Sequence, residues 1–205
     1  MHPRVLSTSG WRVVRRLVAN GVLESWTLAG GTALALQLGH RYSEDLDFFG
    51  AADFDTEGLL QRLAAVAEVE VQSRSAGTLH AVVDQLRVSF LRAQEPLVFP
   101  GAAYRGLNVA DPRDIAAMKV VAIGGRGSRK DFVDLYFYLE TGATLAGTLA
   151  VLRQRFARID YNEYHLLKSL VYFDDAETEP MPRMFRAVSW DAIKEAMAAE
   201  VRALS

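Results

Sequence analysis

The sequence predicts an α/β (α+β) fold: a small mixed-sheet core flanked by helices, then a helical C-terminal region. Three observations carry this. Short apolar runs suited to strands cluster before residue 110, at Trp26–Ala29, Asp45–Phe49, Leu79–Val83 and Leu86–Leu91, with helical patterns between them. From Asp111 onward the patterns are helical almost throughout. Half of the 205 residues are hydrophobic, enough for a packed core and too many for a disordered chain. The expected organisation is an α/β core over residues 1–110, with residues 111–205 forming a helical region that completes a cleft against it.

Composition narrows the class. A formal net charge of −2 gives no argument for nucleic-acid binding from gross charge. The absence of cysteine excludes disulfides, thiolate metal sites and a cysteine nucleophile, and fits a reducing compartment. The opening MHPRVLSTSG lacks the apolar stretch of a signal peptide, and no run is long enough to span a membrane. A soluble cytoplasmic protein without a membrane partner is expected.

Thr8 or Ser9 can cap a first helix whose stripe is Trp11, Val14, Leu17 and Val18. Arg12, Arg15 and Arg16 lie mostly off that stripe and read as a solvated face in preference to an RNA contact. Trp26–Ala29 is a buried-strand run. Gly30 and Gly31 make the turn after it, Thr32 is a good N-cap, Ala33 to Leu38 favour helix, and Gly39 is a plausible stop. Asp45-Leu46-Asp47-Phe48-Phe49 reads as a second strand. Side chains alternate along a strand, so Asp45 and Asp47 share a face.

Two carboxylates on one strand face repel, and aspartate is a poor strand former, so this placement disagrees with local propensity. The simplest neutraliser is one or two Mg²⁺ ions, which prefer oxygen ligands and arrive with nucleotide phosphates. The Gly-Gly-Thr turn can supply the other half, because backbone N–H groups at a helix N-terminus bind phosphate. A Gly-Gly turn alone is usually only a turn, and an isolated Asp-x-Asp is usually a solvated edge. Strand, Gly-Gly, helix and Asp-x-Asp in sequence point instead to a metal–nucleotide site.

Thr56 then caps a helix carrying Leu59, Leu60, Leu63, Ala64 and Val66. Val69 and Val71 mark a third strand, and a hairpin follows with its turn at Asp84-Gln85. Leu97-Val98-Phe99 suggests an edge strand, and 101–110 a loop or irregular strand. Asp111-Pro112 is a strong helix start. On that helix Lys119 shares the apolar face of Ile115 and Ile123, and spacing alone favours snorkelling to water over meeting an anion. Gly124 to Gly127 reads as a flexible basic turn, and Ser128 as the cap of the next helix. There Asp131 is either a capping residue or part of a site. Asp134 sits inside an otherwise apolar helix, so it needs a cation or several donors, and Lys119 is the natural partner. Residues 143–157 form one helix, Asp160 and Glu163 begin another, 174–184 is a solvated acidic connector, and Ser189 caps the last helix. His40, His80 and His165 have no metal-ligand spacing; His40 and Arg41 could reach phosphates or serve as helix-dipole partners.

The stretch from Trp26 to Gly50 resembles the opening motif of the nucleotidyltransferase superfamily. Its closer form, GGTALAL…HRYSEDLDFF, resembles the AbiEii/AbiGii-type toxins of type IV toxin–antitoxin and abortive-infection systems. KVVAIGGRGSRKDFVDLYFYLE resembles that family's second motif. The resemblance implies transfer of a nucleoside monophosphate from a nucleoside triphosphate (NTP), with Asp45 and Asp47 as metal ligands, Lys119 on the phosphates and Asp134 paired with it as the catalytic set. It implies Gly30, Gly31 and Thr32 on the outer phosphates, with Ser43 and Arg41 joining the nucleotide site. RNA, in particular the acceptor end of tRNA, is the implied acceptor, guided by Arg126, Arg129 and Lys130, and a cognate antitoxin is the implied partner. Much of the superfamily takes a third carboxylate from a later strand; the equivalent position here falls near Ser89, which cannot replace it. Transfer to a protein or small molecule, and a catalytically weak nucleotide-binding protein, are the alternatives.

Overall fold

The computed structural model describes residues 1–50, 53–159 and 161–204. Helix α1 (Thr8–Ala19) precedes strand β1 (Thr27–Ala29), helix α2 (Gly30–Leu38) and strand β2 (Asp45–Gly50). Helix α3 (Thr56–Ala64) leads into strands β3 (Val69–Ser75), β4 (Thr78–Val83) and β5 (Leu86–Arg92), then the short pair β6 (Ala102–Tyr104) and β7 (Leu107–Val109). Six helices follow: α4 (Pro112–Arg126), α5 (Arg129–Leu139), α6 (Leu145–Arg155), α7 (Glu163–Ser169), α8 (Asp174–Glu177) and α9 (Trp190–Arg202). The strands form one mixed sheet in the order β3-β4-β5-β2-β1-β7-β6, as the α/β expectation required. β2 runs parallel to β5 and antiparallel to β1.

Alternation decides which face is packed. Leu46 and Phe48 of β2, Val88 and Phe90 of β5, and Leu79, Ala81 and Val83 of β4 are buried, while Asp45, Asp47, Arg87, Ser89 and His80 stand on the other, partly open face. Helix α2 is apolar all round, as befits a helix packed against the sheet on one side and α4 and α5 on the other.

Several local expectations are corrected. Ser7 and Asp55, one residue earlier than expected, cap α1 and α3. Leu97–Phe99 is not a strand, because the N–H groups of Val98 and Phe99 are taken by the buried Asp114 carboxylate, 2.9 Å each. Residues 102–109 form a hairpin instead, turning at Arg105 and Gly106, both with positive φ. Helix α4 runs through Gly124 and Gly125 to Arg126 and stops at Gly127 in the left-handed region, so the basic turn is much shorter than expected. The connector at 174–184 carries α8, and its end lies along the cleft: Arg41 bridges to Met184, and Tyr42 donates to the Arg183 carbonyl at 2.8 Å. Asp160, expected at a helix start, lies outside the described residues; α7 is capped by Asn162. No helix of the described residues is long and apolar enough to cross a membrane.

Candidate active site

A cleft of about 1120 Å³ opens over the polar face of β2, β5 and β4 and is closed on its far side by α4, α5 and residues 179–183. Gly30, Gly31, Asp45, Asp47 and Lys119 all line it.

The Gly-Gly turn is needed for space as well as conformation. Gly30 has φ +65°, and a Cβ there would lie 2.7 Å from Asp47 Oδ2. A Cβ on Gly31 would strike the Arg41 guanidinium and crowd Asp134 Oδ2 at 3.1 Å. Thr32 is not an N-cap: Ala29 holds that position, and Thr32 is the third helical residue. Its hydroxyl bonds the Asp45 carbonyl and lies 2.7 Å from Ser43 Oγ, tying α2 to the start of β2.

The two strand carboxylates differ. Asp45 Oδ1 accepts from Arg87 Nε at 2.6 Å, and Lys130 Nζ stands 3.8 Å from Oδ2. For Asp47, no hydrogen-bond donor or ion-pair partner is present among the described residues. Among the described residues no group of three or more His, Cys, Asp or Glu side chains could hold a metal by itself. Two half-exposed hard-oxygen donors therefore fit a cation that brings further oxygen ligands with it, as Mg²⁺ does on a triphosphate.

One wall of the cleft carries a largely buried ion cluster. Lys119 Nζ is 2.7 Å from Asp131 Oδ1 and 2.6 Å from Asp134 Oδ2. Arg41 grips Asp134 through Nε and Nη2 at 2.7 and 2.9 Å, and His40 Nε2 lies 2.8 Å from Asp134 Oδ1. Arg126 completes it on Asp131 at 2.9 Å. Burial penalises the Asp134 carboxylate, but the charges of Arg41 and Lys119 and the bonds from Arg41 and His40 outweigh it and hold its pKa well below the ordinary range. Burial likewise opposes charge on Lys119, and the two aspartates overcome it, so the ammonium titrates above its usual value. Burial dominates for His40 and lowers its pKa; a neutral ring donating from Nε2 to Asp134 agrees with its Nδ1 having no partner among the described residues.

The expected Lys119–Asp134 contact is thus present, whereas Asp131 is a full member of the cluster and no capping residue. Arg41 and His40 both bond Asp134, and Arg41 also lines the cleft beside Gly31. Ser43 is buried between Thr32 and Arg41, with Arg41 Nη1 at 3.3 Å. Arg129 is buried too, bonded to the carbonyls of Ala176 and Glu177, so it cannot guide RNA. Ser128 donates to Glu179 and makes no cap bond. The sequence reading missed a pair on the open sheet face: Ser89 sits in register beside Asp47, and His80 Nδ1 lies 3.0 Å from Ser89 Oγ. The hairpin's two-residue period carried that signal.

A Gly-Gly turn, strand carboxylates and a lysine–aspartate cluster on a mixed sheet define a nucleotidyltransferase-type site. Comparison with known proteins agrees. The family described as nucleotidyl transferase AbiEii toxin, type IV toxin–antitoxin system, matches residues 12–105 and 88–203. An uncharacterized protein of Aquifex aeolicus (strain VF5) is 34% identical over 181 residues, covering 86% of this chain and 87% of that protein. In fold, the chain is similar to JHP933 from Helicobacter pylori (TM-score 0.51, 16% identity, 97% of both chains). It is also similar to the antibiotic-resistance factor ANT(2'')-Ia (TM-score 0.56, 13% identity, 77% of this chain and 98% of that one). The chain belongs to the AbiEii nucleotidyltransferase toxin family and is a nucleotidyltransferase. Membership implies an NTP substrate and an antitoxin partner.

Proposed function

We propose that this chain transfers a nucleoside monophosphate from an NTP to a hydroxyl of RNA, with the acceptor end of tRNA as target and growth arrest as the consequence. The observation that carries this is the convergence of Gly30, Gly31, Asp45, Asp47 and Lys119 on one cleft. Asp45 and Asp47 would hold one or two Mg²⁺, which when bound neutralises charge on the phosphates and orients pyrophosphate as leaving group. The N–H groups of Gly30 and Gly31 receive the outer phosphates. Thr32, Ser43 and Arg41 serve the nucleotide by holding that turn against β2, since their polar groups are already engaged with protein. Lys119 has three N–H donors and spends two on Asp131 and Asp134, leaving one for a phosphate oxygen as charge develops. Asp134 positions Lys119. Arg87 and Lys130, exposed at the cleft, support a polyanionic acceptor; they take the place of Arg129 as its guides.

The test is label transfer from each α-labelled NTP to total tRNA in the presence of Mg²⁺, beside the Asp45→Ala/Asp47→Ala and Lys119→Ala variants. Label in tRNA from wild type alone is expected. Label appearing only in protein or in small hydroxyl compounds would overturn the RNA acceptor and keep the chemistry. Tight NTP binding without transfer to any acceptor would overturn catalysis itself.

A further inference from the structure

Resting on that reading, we propose that His80 is the base that takes the proton from the attacking hydroxyl, and that Ser89 holds its ring for the task. In an in-line displacement the attacking and leaving oxygens lie on opposite sides of phosphorus. The sheet order supplies the two sides. The Gly30–Gly31 turn follows β1, on one flank of β2, and receives the outer phosphates; β5 and then β4 lie on the other flank. With Asp45 and Asp47 on β2 between them, the hydroxyl must approach from the β5–β4 side. Ser89 stands there beside Asp47, and His80 stands one strand further out beside Ser89. At about 4.8 Å per strand, this puts the imidazole within reach of a group seated against Ser89.

The carboxylate alternatives are weaker. Ser89 has no basic group of its own. Asp84, the acidic residue of the hairpin turn, is tied to Arg16 at 2.7 Å and to the Glu68 N–H at 3.0 Å. Asp131 and Asp134 are saturated by cations. His80 is half-buried, lines the cleft, and among the described residues makes one side-chain bond, through Nδ1. With Nδ1–H donating to Ser89 Oγ, the basic lone pair of the ring is on Nε2. The step balances. The acceptor oxygen bonds Pα, the Pα–O bond to the β-phosphate breaks, pyrophosphate leaves with the electron pair, and the hydroxyl proton goes to Nε2 and then to solvent.

The experiment compares steady-state transfer by wild type, His80→Ala, Ser89→Ala and Glu44→Gln, the last removing a further carboxylate that lines the cleft. NTP affinity is read separately by equilibrium dialysis. His80→Ala should lower kcat about 100-fold or more with NTP affinity within about twofold, and added imidazole should restore part of the rate. Ser89→Ala should show a smaller fall, and Glu44→Gln almost none. Equal rates for wild type and His80→Ala, or a fall confined to Glu44→Gln, would overturn the assignment to His80 alone. Absence of labelling by wild type would overturn the acceptor reading, and this one with it.

Discussion

Two groups of charges face the same cleft and are built on opposite terms. On β2, Asp45 and Asp47 are half-exposed, and one of the two has no protein partner among the described residues. On the opposite wall, the Asp131–Asp134–Lys119–Arg41 cluster is buried, and each member has at least two partners. The cluster is finished by the fold; the strand pair waits for something the fold does not supply. A buried charge survives only when fully compensated, so the cluster must form for the chain to fold. Carboxylates left under-compensated at a cleft are a standing affinity for cations. Losing a strand carboxylate should therefore cost function at little cost in stability, whereas losing a cluster member should cost both.

Breaking the cluster gives the largest effect. Asp134→Ala strands Arg41 and His40 and leaves Lys119 with Asp131 alone; the urea unfolding midpoint should report a loss of about 3–5 kcal/mol, with transfer lost as well. Asp47→Ala should abolish transfer while moving the thermal midpoint of the ligand-free protein by no more than about 2–4 °C. Gly30→Ala falls between: the left-handed backbone costs about 1–2 kcal/mol in unfolding, and the added Cβ pushes on Asp47, so NTP affinity should fall too. Arg87→Ala breaks a pair exposed to solvent and should cost under about 1 kcal/mol.

Acid sharpens the same contrast. Asp131 and Asp134 titrate lower in the folded chain than in the unfolded one. Their contribution is complete above the unfolded value of about 4 and is lost as pH falls below it toward the folded values. His40 is also lowered, so the unfolded chain takes up its proton first, and stability begins to fall once pH drops below about 6.5. Each group can contribute a slope of at most about 1.4 kcal/mol per pH unit. Urea titrations from pH 7 to 4 should show the His40 component in wild type and not in His40→Gln.

The same division explains what the sequence could disclose. The strand pair was legible because alternation, a Gly-Gly turn and two aspartates sit within twenty residues, and Asp134 because it interrupts an apolar helix. Lys119 does not snorkel to water, as its spacing alone suggested, but is buried between two aspartates. Only Asp134's need for a cation and the resemblance to the family's second motif pointed there. The partners of Asp134 were not legible: Arg41 and His40 lie more than ninety residues away, and no local pattern pairs them. Thr32 misled for a related reason, since a threonine after Gly-Gly looks like a cap until the chain brings Ser43 and Asp45 to its hydroxyl. His80 failed a test for metal spacing that was the wrong question; its register against Ser89 was the informative fact.

The most direct measurement is thermal unfolding of wild type and Asp47→Ala with and without saturating Mg-NTP. A ligand that binds only the folded chain stabilises it by RT ln(1 + [L]/Kd), or about 2.7 kcal/mol at a hundredfold excess over Kd. The open strand pair predicts midpoints within about 2–4 °C of each other for the two ligand-free proteins, and a ligand-induced rise in wild type that chelation abolishes and Asp47→Ala lacks. An equal, chelator-insensitive rise in both would contradict it and place the nucleotide elsewhere.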